Sequence, residues 1–111
     1  MPHYIVLVNF TDQGLRTMAR LKDTTTLVRR FQAKAGVAGV KLSEIYWTMG
    51  HYDGVLVMEA PDDATISTGL LTMCSVGNVR TETLRAFPPE QMTHILEGLP
   101  YEADNSISRE L

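Results

Sequence analysis

The fold is decided by the stretch Glu44–Asp63, EIYWTMGHYDGVLVMEAPDD, in which two strand-like runs flank a turn. The first run is rich in β-branched and aromatic side chains, which suit a pleated, half-buried surface. The second run, Val55–Ala60, is almost entirely apolar. The GHYDG segment between them has glycine at both ends, where positive φ is accessible, and an Asp-Gly pair, so it predicts a β-hairpin. Pro61 ends the second strand because it has no N–H to donate, and Asp62 is the predicted N-cap of a helix.

Further strands and helices are predicted on both sides of this hairpin. The predicted strands are His3–Phe10, Val40–Met49, Val55–Ala60 and Asn78–Phe87, and the predicted helices are Gln13–Leu21, Thr25–Ala35, Asp62–Ser75 and Pro89–Leu99. This βαββαβ order with one extra C-terminal helix is typical of a ferredoxin-like α+β fold. We therefore expect an antiparallel four-stranded sheet with helices on one face. Residues 1–99 are predicted to form one domain, and residues 100–111 a polar C-terminal tail.

The inner faces of the helices follow from their apolar spacing. We predict Asp12 as the N-cap of the first helix and Gly36 as the end of the second. The first helix is expected to bury Leu15, Met18 and Ala19, the second Leu27, Val28, Phe31 and Ala35, and the third Ala64, Ser67, Leu70, Leu71 and Cys74, extended by Ile66 and Met73.

Both sides of the first and third strands are apolar. Side chains alternate along a strand, so Ile5 and Leu7 face away from Val6 and Val8, and the third strand repeats the pattern. A sheet with helices on one face normally keeps the other face polar. An apolar second face predicts a homo-oligomer, a dimer or higher, in which a second copy covers the open sheet face.

Aromatic and basic residues suggest a polar-lined binding pocket for a small molecule, either at the dimer face or between the sheet and the helices. Tyr46, Trp47 and Tyr52 would form its walls, and Arg80 or Arg85 would hold an anionic group of the ligand. The alternative is that the fourth strand is a charged edge strand, a common guard against wrong pairing.

The hairpin turn supplies two more candidate ligand-binding residues. His51 titrates near neutral pH and is suited to acid–base work at the rim of a pocket. The alternative is conformational, with Asp53 accepting backbone N–H groups of the turn and Tyr52 covering the end of the hairpin.

Composition narrows the class of protein. The 111 residues are 44% hydrophobic and 21% charged, with a net charge of −3, which fits a globular domain. No basic stripe favours nucleic acid, and no apolar run is long enough to span a bilayer. Cys74 is the only cysteine and no Cys/His cluster exists, so we expect no metal site, and no pattern calls for a cofactor. The start lacks the basic segment of a signal peptide, which favours a cytoplasmic location.

Three blocks of the sequence resemble the GYD-domain family. They are YIVLVNFTDQG, EIYWTMGHYDGVLVMEAPDD and SVGNVRTETLRAFPPEQM, and together they extend the resemblance over Tyr4–Leu96. The Gly, Tyr and Asp of the family name correspond to Gly50, Tyr52 and Asp53, with His51 between the first two. The resemblance implies a ferredoxin-like fold similar to dimeric α/β-barrel proteins. It implies no enzymatic activity and no catalytic residue.

Two functions fit these observations. The preferred hypothesis is a small oligomeric domain without catalysis, which binds a small molecule or has a regulatory or structural role. The alternative is a cofactor-independent enzyme of the dimeric-barrel type, a monooxygenase or isomerase acting on a small aromatic substrate. It is motivated by the candidate residues His51, Tyr52, Asp53 and Arg80 and rests on fold analogy.

Overall fold

A computed structural model describes residues 1–100 of the chain. Its elements, in chain order, are β1 (His3–Phe10), α1 (Asp12–Leu21), α2 (Thr24–Val37), β2 (Lys41–Trp47), β3 (Gly54–Glu59), α3 (Asp63–Ser75), β4 (Val79–Ala86) and α4 (Pro89–Glu97). The four strands form one antiparallel sheet in the order β2-β3-β1-β4. This is the predicted ferredoxin-like α+β arrangement, in which the two central strands are the most apolar.

The core lies between the sheet and helices α1–α3. Alternate residues of β1 and β3 point into it and are almost completely buried: Tyr4, Val6 and Val8 of β1, with Leu56 and Met58 of β3. Ala35 of α2 and Ile66 and Leu70 of α3 pack against them. The alternation predicted for the central strands is therefore confirmed, and it leaves their other apolar side chains on the opposite face of the sheet.

The predicted capping of α3 is confirmed, whereas that of α1 is wrong. Asp62 caps α3 by accepting a hydrogen bond from the Thr65 N–H at 2.7 Å. The N-cap of α1 is Thr11, whose hydroxyl accepts from the Gly14 N–H at 3.0 Å. Asp12 instead lies in the first turn, where its charge suits the positive end of the helix dipole.

Helix α2 is longer at both ends than predicted. Asp23 caps it, and the helix passes through Gly36 to Val37. The chain leaves the helix at Gly39, which has a φ of +82°. Because Gly39 supplies the left-handed conformation, Gly36 is free to remain helical.

The predicted inner faces of α1 and α3 need correction. In α1, Gly14 is buried, whereas Leu15 is 61% exposed. In α3, Ile66 and Leu70 are buried, but Leu71 is 71% exposed. In α1, the inner face is set by the close contact of Gly14 with the backbone of Asn78. In α3, Ile66 and Leu70 are buried as predicted, and only part of the predicted stripe faces outward.

Helix α4 is bounded by Pro89 and Glu97, and none of its residues is buried. Its predicted apolar stripe is present but lies at the surface. The exposed residues are Met92, Ile95 and Leu96, followed by Leu99 just beyond the helix. Residues 101–111, on which the predicted polar tail falls, lie outside the described part of the chain.

Candidate functional site

The face of the sheet turned away from α1–α3, which we call the open face, has an apolar centre. The strand register places Val55 beside Leu7 and Val57 beside Ile5 in two neighbouring rows. All four side chains are half-buried. Leu84 of β4 pairs with Ile5 and is 47% exposed, which extends the apolar centre toward the sheet edge. No helix or loop within residues 1–100 covers this apolar centre.

A polar rim surrounds the apolar centre. At one end, Glu59 lies 3.2 Å from His3 Nε2 and 3.7 Å from Lys41 Nζ. Along the β2 edge, the Tyr46 hydroxyl donates to Glu44 at 3.0 Å. At the other end, the Tyr52 hydroxyl donates to the carboxylate of Glu82. An apolar centre with a hydrogen-bonded polar rim is the usual anatomy of a protein–protein interface.

The two rim tyrosines are held in their protonated form. The hydrogen bond that Tyr46 donates to Glu44 raises the pKa of the phenol, and the bond from Tyr52 to Glu82 does the same. Since Glu82 belongs to β4, Tyr52 also ties the hairpin loop across the sheet to the far edge strand. These phenols are hydrogen-bond donors at neutral pH and are not poised to act as bases.

Asp53 has a conformational role in the hairpin. Its backbone N–H donates to Val8 O at 2.8 Å, and its carboxylate accepts from the Phe10 N–H at 2.9 Å. The carboxylate therefore holds the end of β1, rather than the turn itself as predicted. His51 is exposed and makes no hydrogen bond within residues 1–100.

The glycines that bound the loop have different functions. Gly50 has a φ of +105°, as the turn prediction requires. Gly54 has an ordinary strand conformation, but a Cβ there would lie 3.0 Å from the indole of Trp47. Gly54 is thus needed for the close approach of Trp47 and not for positive φ.

Tyr46 and Trp47 lie on opposite sides of the sheet. Tyr46 pairs with Val55 on the open face, whereas Trp47 pairs with Gly54 and stacks on Phe10 with ring centroids 5.5 Å apart. A single pocket walled by Tyr46, Trp47 and Tyr52 is therefore not formed within one chain. Neighbouring residues of a strand point in opposite directions, which separates the first two.

The two arginines proposed to hold an anionic group are also separated. Arg80 is exposed on the open face, beside Asn9 in the register. Arg85 lies on the helix side, where its guanidinium is 3.9 Å from Asp63 and 5.5 Å from the ring centroid of Tyr4. Phe87 flanks the same guanidinium at 5.0 Å. β4 is an edge strand as predicted, and Arg85 is partnered by a carboxylate and two aromatic rings.

Tyr4, which lies beside Arg85 and Asp63, makes a pH-dependent contribution to the stability of the fold. Burial, with the hydrogen bond donated to Asp63, raises the pKa of its phenol. An unfolded tyrosine titrates near pH 10, so the contribution of the protonated phenol is complete below about pH 10 and is lost as the pH rises through the folded-state pKa.

Urea unfolding should give the wild type a larger free energy of unfolding than Tyr4→Phe at neutral pH. This difference in free energy should decrease as the pH rises above about 10. A difference that is constant with pH would contradict this assignment.

A cavity lies on the helix side of the sheet, one of the two places predicted for a pocket, but its lining differs from the prediction. It has a volume of about 280 Å³ and lies between β1–β3 and helices α1–α3. Trp47 is the only predicted site residue that lines it. The other lining residues were not predicted, because side-chain volumes alone do not reveal where helices fail to fill the space above a sheet.

Residues 1–100 contain no group of His, Cys, Asp and Glu side chains arranged to hold a metal ion. No helix in this part of the chain is both long enough and apolar enough to cross a membrane.

Cys74 is half-buried, and its Sγ lies 3.6 Å from the Thr81 hydroxyl.

The fold and the open face define a small α+β domain with a ferredoxin-like sheet and an uncovered, interface-like surface. The GYD domain family model matches residues 4–96, so the chain belongs to the GYD domain family. A curated relative from Thermus thermophilus, named glutamine synthetase and cystathionine beta-lyase binding protein, is 39% identical over 93 residues. The match covers 79% of this chain and 90% of the relative.

A solved structure from the same organism supports the fold. It is a crystal structure of a Thermus thermophilus protein, with a TM-score of 0.51 and 24% sequence identity. The match covers 79% of this chain and 95% of the solved chain. At this identity the likeness bears on the fold alone.

Proposed function

We propose that this chain is a non-catalytic regulatory domain that acts by binding other proteins. Its open face forms a homodimer with a second copy, and helix α4 contacts a metabolic enzyme. The observation that carries the proposal is the apolar centre of the open face with its polar rim. The proposed site of action is the cytoplasm.

The open face suits self-association. A two-fold dimer uses the same patch on both subunits, so the patch must complement itself. A sheet face whose central rows are aliphatic meets this condition, since two such faces can pack face to face. The rim residues then lie at the edge of the interface, where their charged groups keep contact with water.

Helix α4 suits a different partner. Its apolar stripe contains Met92, Ile95 and Leu96, and each is between 44% and 49% exposed. A nine-residue helix with no buried residue gains little stability from its own chain. A protruding amphipathic helix of this kind fits an apolar groove on another protein.

The named relative supports enzymes as the partners. Its name describes binding to glutamine synthetase and to cystathionine beta-lyase, and the matched region covers most of both chains. We extend this to the present chain and propose that it binds enzymes of these two classes.

The test is a binding titration by biolayer interferometry. The purified chain is titrated against glutamine synthetase and, separately, against cystathionine beta-lyase, both taken from the organism that encodes this chain. The wild type should bind at least one of them, and Ile95→Lys should weaken binding at least about tenfold by placing a charge on the apolar stripe. The matched control is His94→Lys, on the opposite side of α4, which places the same charge beside Glu97 and away from the apolar stripe.

The outcomes separate the parts of the proposal. Wild-type protein that binds neither enzyme would overturn the regulatory function. Equal loss in Ile95→Lys and His94→Lys would overturn the role of the apolar stripe. Ile95→Lys should leave the mass of the homodimer unchanged, because the proposed dimer does not use α4.

A cavity that contains His51 or Arg80 would support the enzyme alternative. The cavity is lined by neither residue within the described part of the chain. The Asp53 carboxylate accepts from the Phe10 N–H and the Tyr52 hydroxyl donates to Glu82, so the observed contacts favour no catalytic function.

A further inference from the structure

The cavity on the helix side of the sheet is distinct from the surfaces assigned to protein binding. The sheet supplies Val8, Leu56 and Met58, and the helices supply Phe31, Ile66 and Met73. Half of the remaining lining residues are also aliphatic. The space is separated from the open face by the full thickness of the sheet, so neither dimer formation nor α4 uses it.

The size and lining of the cavity indicate the apolar part of a ligand. Apolar cavities do not hold ordered water well, and an engineered cavity of about 150 Å³ stays dry and binds benzene. The present volume is about 280 Å³, near the lower end of ligand pockets. It therefore fits a medium-length hydrocarbon chain or a bicyclic aromatic group.

The charges at the cavity wall indicate the polar part of that ligand. Arg30 and Lys34 both line the cavity, and both are exposed on α2 four residues apart. Like charges at this spacing repel each other. Neither forms an ion pair within residues 1–100. An anionic group at this edge would relieve the repulsion and pair with both cations.

We propose that the cavity is a binding site for a small apolar monocarboxylate. The hydrocarbon part lies between the sheet and the helices, and the carboxylate lies at the α2 edge against Arg30 and Lys34. This site is independent of the proposed protein partners, and its test does not use them.

The chain carries its own reporter for this test. Trp47 is the only tryptophan, and it lines the cavity while it stacks on Phe10. Titration with decanoate should give a saturable change in tryptophan fluorescence, checked by calorimetry. Decan-1-ol, which has the same chain without the charge, should bind about tenfold more weakly, the factor that 1.4 kcal/mol corresponds to.

A cavity-filling variant keeps the test separate from misfolding. A Cβ at Gly69 would lie 3.7 Å from Val40 Cγ2, an ordinary contact, so the backbone accepts a side chain there. Gly69→Leu should lower decanoate affinity at least about tenfold. Its melting temperature should be unchanged or raised, because glycine is a poor helix former.

A charge variant tests the position of the carboxylate. The double substitution Arg30→Gln with Lys34→Gln should weaken decanoate binding about tenfold and leave decan-1-ol unaffected. Arg29→Gln is the control, since this neighbouring cation does not line the cavity. No saturable decanoate signal, or wild-type affinity in Gly69→Leu, would overturn the site. Equal affinity for decanoate in the double variant and the wild type would overturn the role of the two cations.

Discussion

Gly14→Ala is expected to lower the free energy of unfolding by about 3 kcal/mol, the upper range for forcing extra atoms into a packed site. A small domain has about 5–15 kcal/mol in total, so this single methyl group removes a large part of it. The reason is the contact between α1 and the start of β4. A Cβ on Gly14 would overlap the carbonyl oxygen of Asn78.

That carbonyl has little freedom to move away. Its oxygen accepts a hydrogen bond from the Thr11 N–H at 3.0 Å, and the Thr11 hydroxyl caps α1 and donates to Gly77 O. Relief of the overlap would therefore break the cap of α1 or displace the chain before β4. Urea unfolding followed by circular dichroism measures the loss.

Gly36→Ala is the matched control for this prediction. Gly36 is also helical and has no heavy atom within 4 Å of a built Cβ. Its replacement should leave stability unchanged or raise it by up to about 1 kcal/mol, because alanine favours the helix. Equal behaviour of the two variants would contradict the close approach of α1 to Asn78.

Val57→Lys is expected to convert the proposed homodimer into a monomer, with a dissociation constant raised about 100-fold or more, since each factor of ten is about 1.4 kcal/mol. Val57 lies in the apolar centre, between Glu44 of β2 and Ile5 of β1. In a dimer, the ammonium group would be buried against a second aliphatic surface without a partner. In a monomer, it extends into water over the half-buried stem.

Val37→Lys is the control for that substitution. It makes the same chemical change at the end of α2, where the side chain is 93% exposed. Light scattering at several concentrations should give a dimeric Val37→Lys and a monomeric Val57→Lys, both with native circular dichroism. An unchanged mass for Val57→Lys would exclude the centre of the open face from the interface.

Much of the fold was predictable from the sequence because strand patterns are local. Ile5–Val8 and Val55–Met58 are apolar in both alternating sets, and this alone places two strands at the centre of the sheet with both faces apolar. Asp62 could be identified as a cap for a similar reason, since it follows Pro61 and precedes a helix-forming run. These features depend on neighbouring residues and little else.

The helix rotations could not be predicted, because they depend on tertiary contacts. Leu15 appeared to be an inner residue by its hydrophobicity, but Gly14 permits the closer approach and turns Leu15 outward. Gly36 appeared to be a helix end, yet a second glycine three residues later supplies the positive φ. Glycine patterns are ambiguous when the contacting partner is distant in sequence.

The candidate site was predictable only in part. The apolar open face followed from strand alternation, but the predicted pocket combined residues that the sheet separates. Trp47 and Arg85 lie on the helix side, whereas Tyr46 and Arg80 lie on the open face. Tyr52 crosses to Glu82, and no local pattern reports a contact that spans 30 residues.

The mass of the wild-type chain in solution tests the central claim, that the open face is covered by a second copy. Sedimentation equilibrium at micromolar concentration should give a mass of about twice the 12.4 kDa of one chain. A mass of 12.4 kDa at every concentration would contradict the account, because the apolar centre would then remain in contact with water.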